Sequence, residues 1–365
     1  MLVTCDLHLG KTQDCIDIEG LPSRMYDTVV RFKEMVDLAV GLIKKIVIAG
    51  DIFDNSRPSP KTIAVFFEML DYARKKGVMV ILIPGNHDCD VRLSSLLVAA
   101  KANFSNVIVI EDVDTMDIEG RTVGFIPHIP RRRMEEIEDF PGYVREKLGD
   151  EVDILIAHAH VKGVTNSSDV ELEAGEAIEF DPALFPKFKV AVFGHIHKGQ
   201  KFKGVTYPGS MVPCDYSEIE DVKGFIRLEG TDVHVLGFKH VGMEYKHITV
   251  DLVNKDSVEF EPDRVKKLVE NKLVKITVYT SDPLKVDEYE MRKAFNEFGR
   301  VTRFETIINR PDSEMESVDD TEDVSYEDLF EEWLDGMEGV EPDVQAGTLE
   351  YGKTLIADVL SKEAV

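Results

Sequence analysis

No run of apolar residues in this 365-residue chain approaches the roughly 20 that a bilayer-spanning helix needs. A transmembrane segment is therefore not expected. The opening residues, MLVTCDLHLGK, lack a basic stretch followed by an apolar one, so no secretory leader is expected either. Cysteine is scarce and scattered: Cys5, Cys15, Cys89 and Cys214 show no CxxC spacing. That argues against a structural zinc site and fits small thiols in a reducing, cytoplasmic setting. Positive charge is also short, with 43 Lys and Arg against 69 Asp and Glu and a net charge of −26. Taken alone, this balance argues against a nucleic-acid partner. Its distribution changes that reading, because residues 312–343 hold 15 Asp and Glu and no Lys or Arg. Elsewhere the deficit is milder, and clustered cations or bound metal ions can still meet phosphate.

What the chain does have is alternation. Up to about residue 240, short apolar runs separate amphipathic stretches. LVTC (2–5), KIVIAG (45–50), VMVILI (78–83), NVIVIE (106–111), VDILIAH (152–158) and KVAVFGH (189–195) read as strands buried on both faces. Residues 24–43 place Met25, Val29, Phe32, Val36, Ala39 and Ile43 on one helical face, and 61–76 predict a second helix before Gly77. A hairpin is expected over 116–126, turning at Glu119-Gly120, with further antiparallel strands in GVTYPGS and KGFIRLEGTDVHVLGF. The whole predicts an α/β domain over residues 1–240. From about 245 the pattern restarts as a small β-α-β-α-β unit to 310, with helices near 262–272 and 286–298. An acidic linker over 311–324 leads to a helical tail, 325–365. There Leu329, Phe330, Trp333 and Leu334 share one face behind a Ser325…Asp328 cap, as in a helix that docks on this protein or on a partner.

Polar clusters of one kind close five of the expected strands: Asp6-Leu7-His8, Gly50-Asp51-Ile52-Phe53-Asp54, Gly85-Asn86-His87-Asp88, His158-Ala159-His160 and Gly194-His195-Ile196-His197. Ligand sites gather at the carboxyl ends of strands in α/β sheets, so loops there can bring distant residues together. Carboxylate, imidazole and amide oxygen suit Mn²⁺, Fe²⁺ or Zn²⁺. In D-x-H and H-x-H an extended segment turns residues i and i+2 to one side. Glycine before Asp51, Asn86 and His195 permits a sharp turn beside the ions. One such cluster would be an ordinary buried histidine; five in order predict a metal centre. His158 and His160 compete for the fourth position, and a place directly after the strand favours His158.

The order D-x-H, G-D-x-x-D, G-N-H-(D/E), H, G-H-x-H over residues 1–200 resembles the calcineurin-like metallophosphoesterase superfamily. The resemblance implies a two-sheet sandwich flanked by helices in four layers and two divalent ions, Mn²⁺ before Fe²⁺ or Mg²⁺. One ion would take Asp6, His8, Asp51 and His197; the other would take Asp51, Asn86, His158 and His195, with Asp51 bridging. Such ions ~3.5–4 Å apart activate water and clamp the oxygens of an in-line phosphoryl displacement. Asn86 would be a neutral ligand. His87 would stabilise the transition state or protonate the leaving alkoxide, and Asp54 would orient His87 or lie beyond the ligands. Asp88 reads as structural.

DLHLGK, GDIFDNSRPSPKT, IPGNHD and YPGSMVPCDYSEIEDVKGF depart from the protein Ser/Thr phosphatase pattern. They are similar instead to the nuclease subunits of SbcCD-type and Mre–Rad-type DNA break-processing complexes. That likeness implies a nuclease domain (1–240), a small α/β capping domain (245–310) and a tail (325–365) that binds an ATPase subunit. It further implies a homodimer acting on duplex ends as a 3′–5′ exonuclease and on single strands as an endonuclease, near the nucleoid. The rival on the same fold is a phosphodiesterase or phosphatase for a small molecule or nucleotide, which needs neither cap nor docking helix. A non-catalytic scaffold is disfavoured by the full set of ligands.

Arg57 and Lys61, just past the second cluster, and Arg131 after Pro130 are either solvated cations or DNA phosphate contacts. GTLEYGKT (347–354) fits the P-loop pattern by letter, but an acidic stretch precedes it and eleven residues follow Thr354. ATP binding there is not expected, since a working P-loop needs a buried strand before it.

Overall fold

A computed structural model of the chain describes residues 1–89, 95–168, 178–237, 244–253 and 260–308. The acidic linker, the expected docking helix and tail, and the P-loop-like segment lie outside the described residues.

Two sheets stack face to face. The first has the spatial order Asp232–Gly237, Gly224–Glu229, Leu2–Thr4, Lys45–Ala49, Met79–Ile83, Val107–Val109. Its last four strands are mutually parallel, and the hairpin of residues 224–237 joins Leu2–Thr4 antiparallel. The second runs Gln200–Phe202, Val205–Tyr207, Lys187–Gly194, Glu151–Val161, Thr122–Ile126, Asp114–Asp117, with Ile178–Phe180 also pairing Glu151–Val161. The hairpin expected at Glu119-Gly120 is present. Val205–Tyr207 is antiparallel to Gln200–Phe202 but parallel to Lys187–Gly194, which differs from the purely antiparallel expectation.

Strand periodicity builds the layers. Leu2, Ile46, Ile48, Val80 and Leu82 pack under the helices Ser23–Val40 and Pro60–Lys75. Their neighbours Val3, Val47, Ala49, Ile81 and Ile83 face the second sheet, meeting Val123, Phe125, Ile154, Ile156, Val190 and Val192. Leu155, Ala157, Ala191 and Phe193 turn outward to Val144 and Leu148 of the helix Phe140–Leu148. Burial of both strand faces explains why these runs lack a polar alternate. The helix Pro60–Lys75 starts where Ser59 Oγ accepts from Thr62 N (3.1 Å), with Pro60 at the first helical position.

Residues 244–308 form a separate sheet of three parallel strands, Glu244–Asp251, Lys272–Thr280 and Arg300–Ile308, crossed by the helices Pro262–Val269 and Glu288–Asn296. Its own core includes Val265, Val269, Ile276, Val278, Met291 and Phe295. This unit, labelled the cap after the expectation for residues 245–310, meets the sandwich where Tyr245 and Leu273 pack on Tyr216. Arg303 Nη1 adds ion pairs to Asp14 Oδ2 (3.6 Å) and Asp215 Oδ2 (3.4 Å). Among the described residues, no helix is long and apolar enough to cross a membrane.

Candidate metal centre

Pairing between the parallel strands Leu2–Thr4 and Lys45–Ala49 continues beyond their ends. Asp6 N donates to Gly50 O (3.0 Å), His8 N to Asp51 O (3.0 Å) and Leu9 N to Ile52 O (2.9 Å). Two loops are thereby zipped side by side, and they carry Asp6, His8 and Asp51 into one place. The backbone there is not extended, as the D-x-H spacing suggested, but left-handed: φ is 51° at Asp6, 42° at His8, 51° at Asp51 and 96° at His195. For residues with a Cβ, such conformations cost of order 1–3 kcal/mol each and persist only where the surroundings impose them. Glycine is required at Gly50 and Gly85, and also at Gly194, where a Cβ would lie 2.0 Å from Ala49 O. Gly50 has φ +86°, and a Cβ on it would lie 2.1 Å from His158 Nδ1; one on Gly85 would lie 2.1 Å from Asp51 Oδ1.

Asp88 works on the backbone. Its buried carboxylate accepts from Gly85 N (2.8 Å), Phe53 N (2.9 Å) and Ile52 N (3.2 Å), tying the GNHD turn to the GDIFD turn. Burial and the neighbouring Asp51 charge push its pKa up to about 7. His87 N donates to Asp51 Oδ1 (3.0 Å), while the exposed His87 ring places Nδ1 2.8 Å from the backbone carbonyl of Asp54. A carbonyl only accepts, so Nδ1 carries the proton and Nε2 is left free. Asp54 therefore meets His87 through its main chain. Its carboxylate faces His8 Nδ1 (3.4 Å) and Lys11 Nζ (3.7 Å) instead.

Of the remaining ligand candidates, His158 and His195 meet Asn86, His158 and His8 approach Asp51, and His197 meets His8. His158 Nδ1 lies 2.9 Å from Ala49 O, and its Nε2 is 3.0 Å from Asn86 Oδ1 and 3.4 Å from Asp51 Oδ1. His195 Nδ1 is 3.2 Å from Asn86 Oδ1, and its backbone N–H donates to both Asp6 carboxylate oxygens (3.1 Å each). His8 Nε2 stands 2.9 Å from His197 Nε2 and 3.8 Å from Asp51 Oδ2. His197 Nδ1 is 2.8 Å from Glu218 Oε1. Among the described residues, the ligand atoms of His8, Asp51 and His87 lie within 4.8 Å of one another. The same holds for Asp51, His158 and His195, and for His8, His197 and Cys214.

This donor set fits divalent cations. With Nδ1 of His158 spent on a carbonyl, its Nε2 lone pair faces an amide oxygen and a carboxylate, all acceptors, and His8 and His197 likewise turn ring nitrogens on each other. A cation relieves such crowding. In the metal-free chain a proton takes the cation's place at His158 Nε2. Burial opposes charge on His158, yet the Asp51 carboxylate outweighs it and pushes the imidazole up to about 9. Burial likewise opposes charge on Asp51, but His158, His8 and His87 hold it well below the usual carboxylate range. His195, buried beside His158, falls to about 3 and stays a neutral donor.

His158 sits inside the strand Glu151–Val161 rather than after it, and His160, two residues on, is buried with its ring 6.2 Å from that of His195. Arg57 and Lys61 border a groove of about 620 Å³ lined also by Gly10, Thr12 and Asn55. Arg57 is exposed, and Lys61 Nζ donates to Gly20 O. Arg131 is engaged elsewhere, with Glu135 Oε1 at 3.1 Å. Three residues near the site escaped the motif reading. Glu218 and Lys223 are one pair, and both lie within YPGSMVPCDYSEIEDVKGF with no metal-type spacing to mark them. The third is His128, buried, with its N–H on Pro84 O (2.9 Å) and its pKa lowered by burial and His158 to about 4. No spacing in IPHIP marked it.

A family model described as calcineurin-like phosphoesterase matches residues 1–199. Among curated proteins, the chain is 26% identical over 244 residues to the SbcD component of the nuclease SbcCD from Staphylococcus epidermidis, covering 61% of this chain and 63% of that one. The same-named protein of Staphylococcus saprophyticus is 26% identical over 242 residues, with coverage of 61% and 63%. The DNA double-strand break repair protein Mre11 of Archaeoglobus fulgidus is 27% identical over 241 residues, 60% of this chain and 51% of that one. The match thus spans less than two thirds of each relative's length. All seven ligand candidates, from Asp6 to His197, fall within the matched residues 1–199, and the chain belongs to the calcineurin-like phosphoesterase family.

Proposed function

We propose that this chain is a two-metal DNA nuclease, hydrolysing phosphodiesters at or near DNA ends in break processing, repair and recombination. The observation that carries the reading is that Asp51 lies within reach of His8 through one oxygen and of the pair His158 and His195 through the other, in a chain similar to proteins named for nuclease and break-repair functions. Asp6, His8, Asp51 and His197 would hold one ion, and Asp51, Asn86, His158 and His195 the other, with Mn²⁺ the ion proposed, since its carboxylate ligands suit it. When bound, the ions supply Lewis-acid charge at the scissile phosphate.

The chain's own residues do the rest. Asn86 donates an uncharged oxygen, which spares the anionic substrate a further repulsion. Ala49 O and Glu218 fix the rings of His158 and His197 by their Nδ1 sides. His87, exposed and held through Nδ1–H by Asp54 O, would carry a second proton on Nε2, give it to the leaving alkoxide and be left as the neutral Nδ1–H ring. Residues 325–365 would engage an ATPase subunit, and two copies of the chain would act together at a break.

The test follows linear duplex DNA labelled at its 3′ end, with Mn²⁺ or EDTA and with or without the ATPase subunit. Release of label with Mn²⁺ alone is expected. If DNA stays intact in every mixture while a small phosphodiester is hydrolysed, the substrate is a small molecule and the nuclease reading fails.

A further inference from the structure

Glu218 and Lys223 are a buried ion pair, 5% and 7% exposed, outside the five motif clusters. Burying two charges is costly, so their surroundings are informative. One oxygen of Glu218, Oε2, is saturated: it accepts from Cys214 N (2.9 Å), Ser210 Oγ (3.1 Å) and Lys223 Nζ (2.8 Å). The other, Oε1, meets His197 Nδ1 at 2.8 Å. Lys223 Nζ also donates to the backbone carbonyl of His197 (2.9 Å), to Ser210 Oγ (2.9 Å) and to Asp221 Oδ2 (3.3 Å). The lysine thus grips both the main chain of His197 and the carboxylate that meets its ring. The short turn Tyr216–Glu218 is itself held at its start. Asp215 Oδ1 accepts from Ser217 N (2.9 Å), and from the cap Thr302 Oγ1 reaches Tyr216 OH (2.5 Å).

We propose that Glu218 is the positioning residue for His197. It fixes the ring with its proton on Nδ1 and an open Nε2 turned toward the ion shared with His8, and Lys223 clamps the carboxylate in place. A carboxylate on the far N–H of a ligand imidazole sets ring orientation and strengthens the ring as a donor. The inference rests on the two-ion reading of the site, and it names which ion depends on which support. His197 leans on a charged pair, whereas His158, at the other ion, leans on the neutral Ala49 carbonyl.

The experiment measures Mn²⁺ binding to the metal-free 365-residue chain by competition with a fluorescent chelator, resolving stoichiometry and each Kd. Thermal unfolding of the metal-free protein is followed in parallel. Two variants are compared with wild type. Glu218→Gln with Lys223→Met removes both charges together, so no lone buried cation remains. Glu218→Asp keeps the charge for Lys223 but withdraws the carboxylate from the ring by one methylene. Both are expected to weaken one of the two ions by roughly 10–100-fold, leave the other unchanged, and keep the melting temperature of the metal-free protein. A wild type that binds no Mn²⁺ overturns the two-ion reading itself. Two ions bound at wild-type affinity in the variants overturn the role of Glu218 and leave that reading standing. Equal weakening of both ions with a lowered melting temperature also overturns it, since the pair would then only support the fold.

Discussion

The parallel strands of the sandwich and those of the cap come to different ends. In the sandwich, Leu2–Thr4, Lys45–Ala49 and Lys187–Gly194 run into Asp6, Asp51 and His195, each with a left-handed backbone. In the cap, Glu244–Asp251 and Lys272–Thr280 run into Leu252-Val253 and Ser281-Asp282, where φ stays negative. Polar groups at the cap's ends satisfy one another: Asp282 Oδ1 accepts from Leu284 N (3.0 Å), and Thr280 Oγ1 donates to Asp282 O (2.8 Å). A parallel sheet offers converging loops at its carboxyl edge in both places. Among the described residues, only the sandwich fills that edge with acceptors that face acceptors, and it tolerates strained backbone to do so. Convergence is supplied by the fold, whereas a site needs groups that the fold leaves without partners of the right kind.

That contrast can be broken in four ways. The largest effect is expected from Asp51→Ala, which removes the group common to two donor clusters; Mn²⁺ binding and cleavage should both fall to background, measured by chelator competition and label release. His87→Ala should lower cleavage by roughly 10²–10⁴-fold while both ions bind as before, as for loss of a general acid. Weakened metal binding in that variant would make His87 a ligand rather than a proton donor. On the cap side, Phe295→Ala empties a fully buried position and should cost about 3–5 kcal/mol by denaturant unfolding. The folded variant should still bind two ions, and loss of either would mean that the cap helps to build the site. Arg303→Ala should matter least, under about 1 kcal/mol, because its ion pairs to Asp14 and Asp215 are partly solvated.

Much of the fold is legible in single segments. Strands buried on both faces show as apolar runs whatever they pack against, so all six expected strands of the sandwich are present within a few residues of their bounds. The helix expected over 24–43 spans Ser23–Val40, and the one near 286–298 spans Glu288–Asn296, where Asp287 Oδ1 takes Glu290 N (2.9 Å) and delays its start. The seven ligand candidates stand out because carboxylate, imidazole and amide at strand ends are chemically distinctive. Their supports do not. Glu218 and Lys223 look like any charged pair until both are buried against His197. Asp54 steers His87 through a carbonyl, a group that every residue type carries.

The amino-acid sequence by itself determined which runs become strands, the order of the metal-type donors, and the family pattern they form. Hydrophobic periodicity and side-chain chemistry are local properties, readable one segment at a time. Only the fold decided that Asp6 and His8 meet Asp51 through left-handed loops and which ring nitrogen each histidine presents. The reason is physical: a histidine's free lone pair is set by what its other nitrogen meets. For His158 that partner is the carbonyl of Ala49, 109 residues away along the chain and 2.9 Å away in the fold.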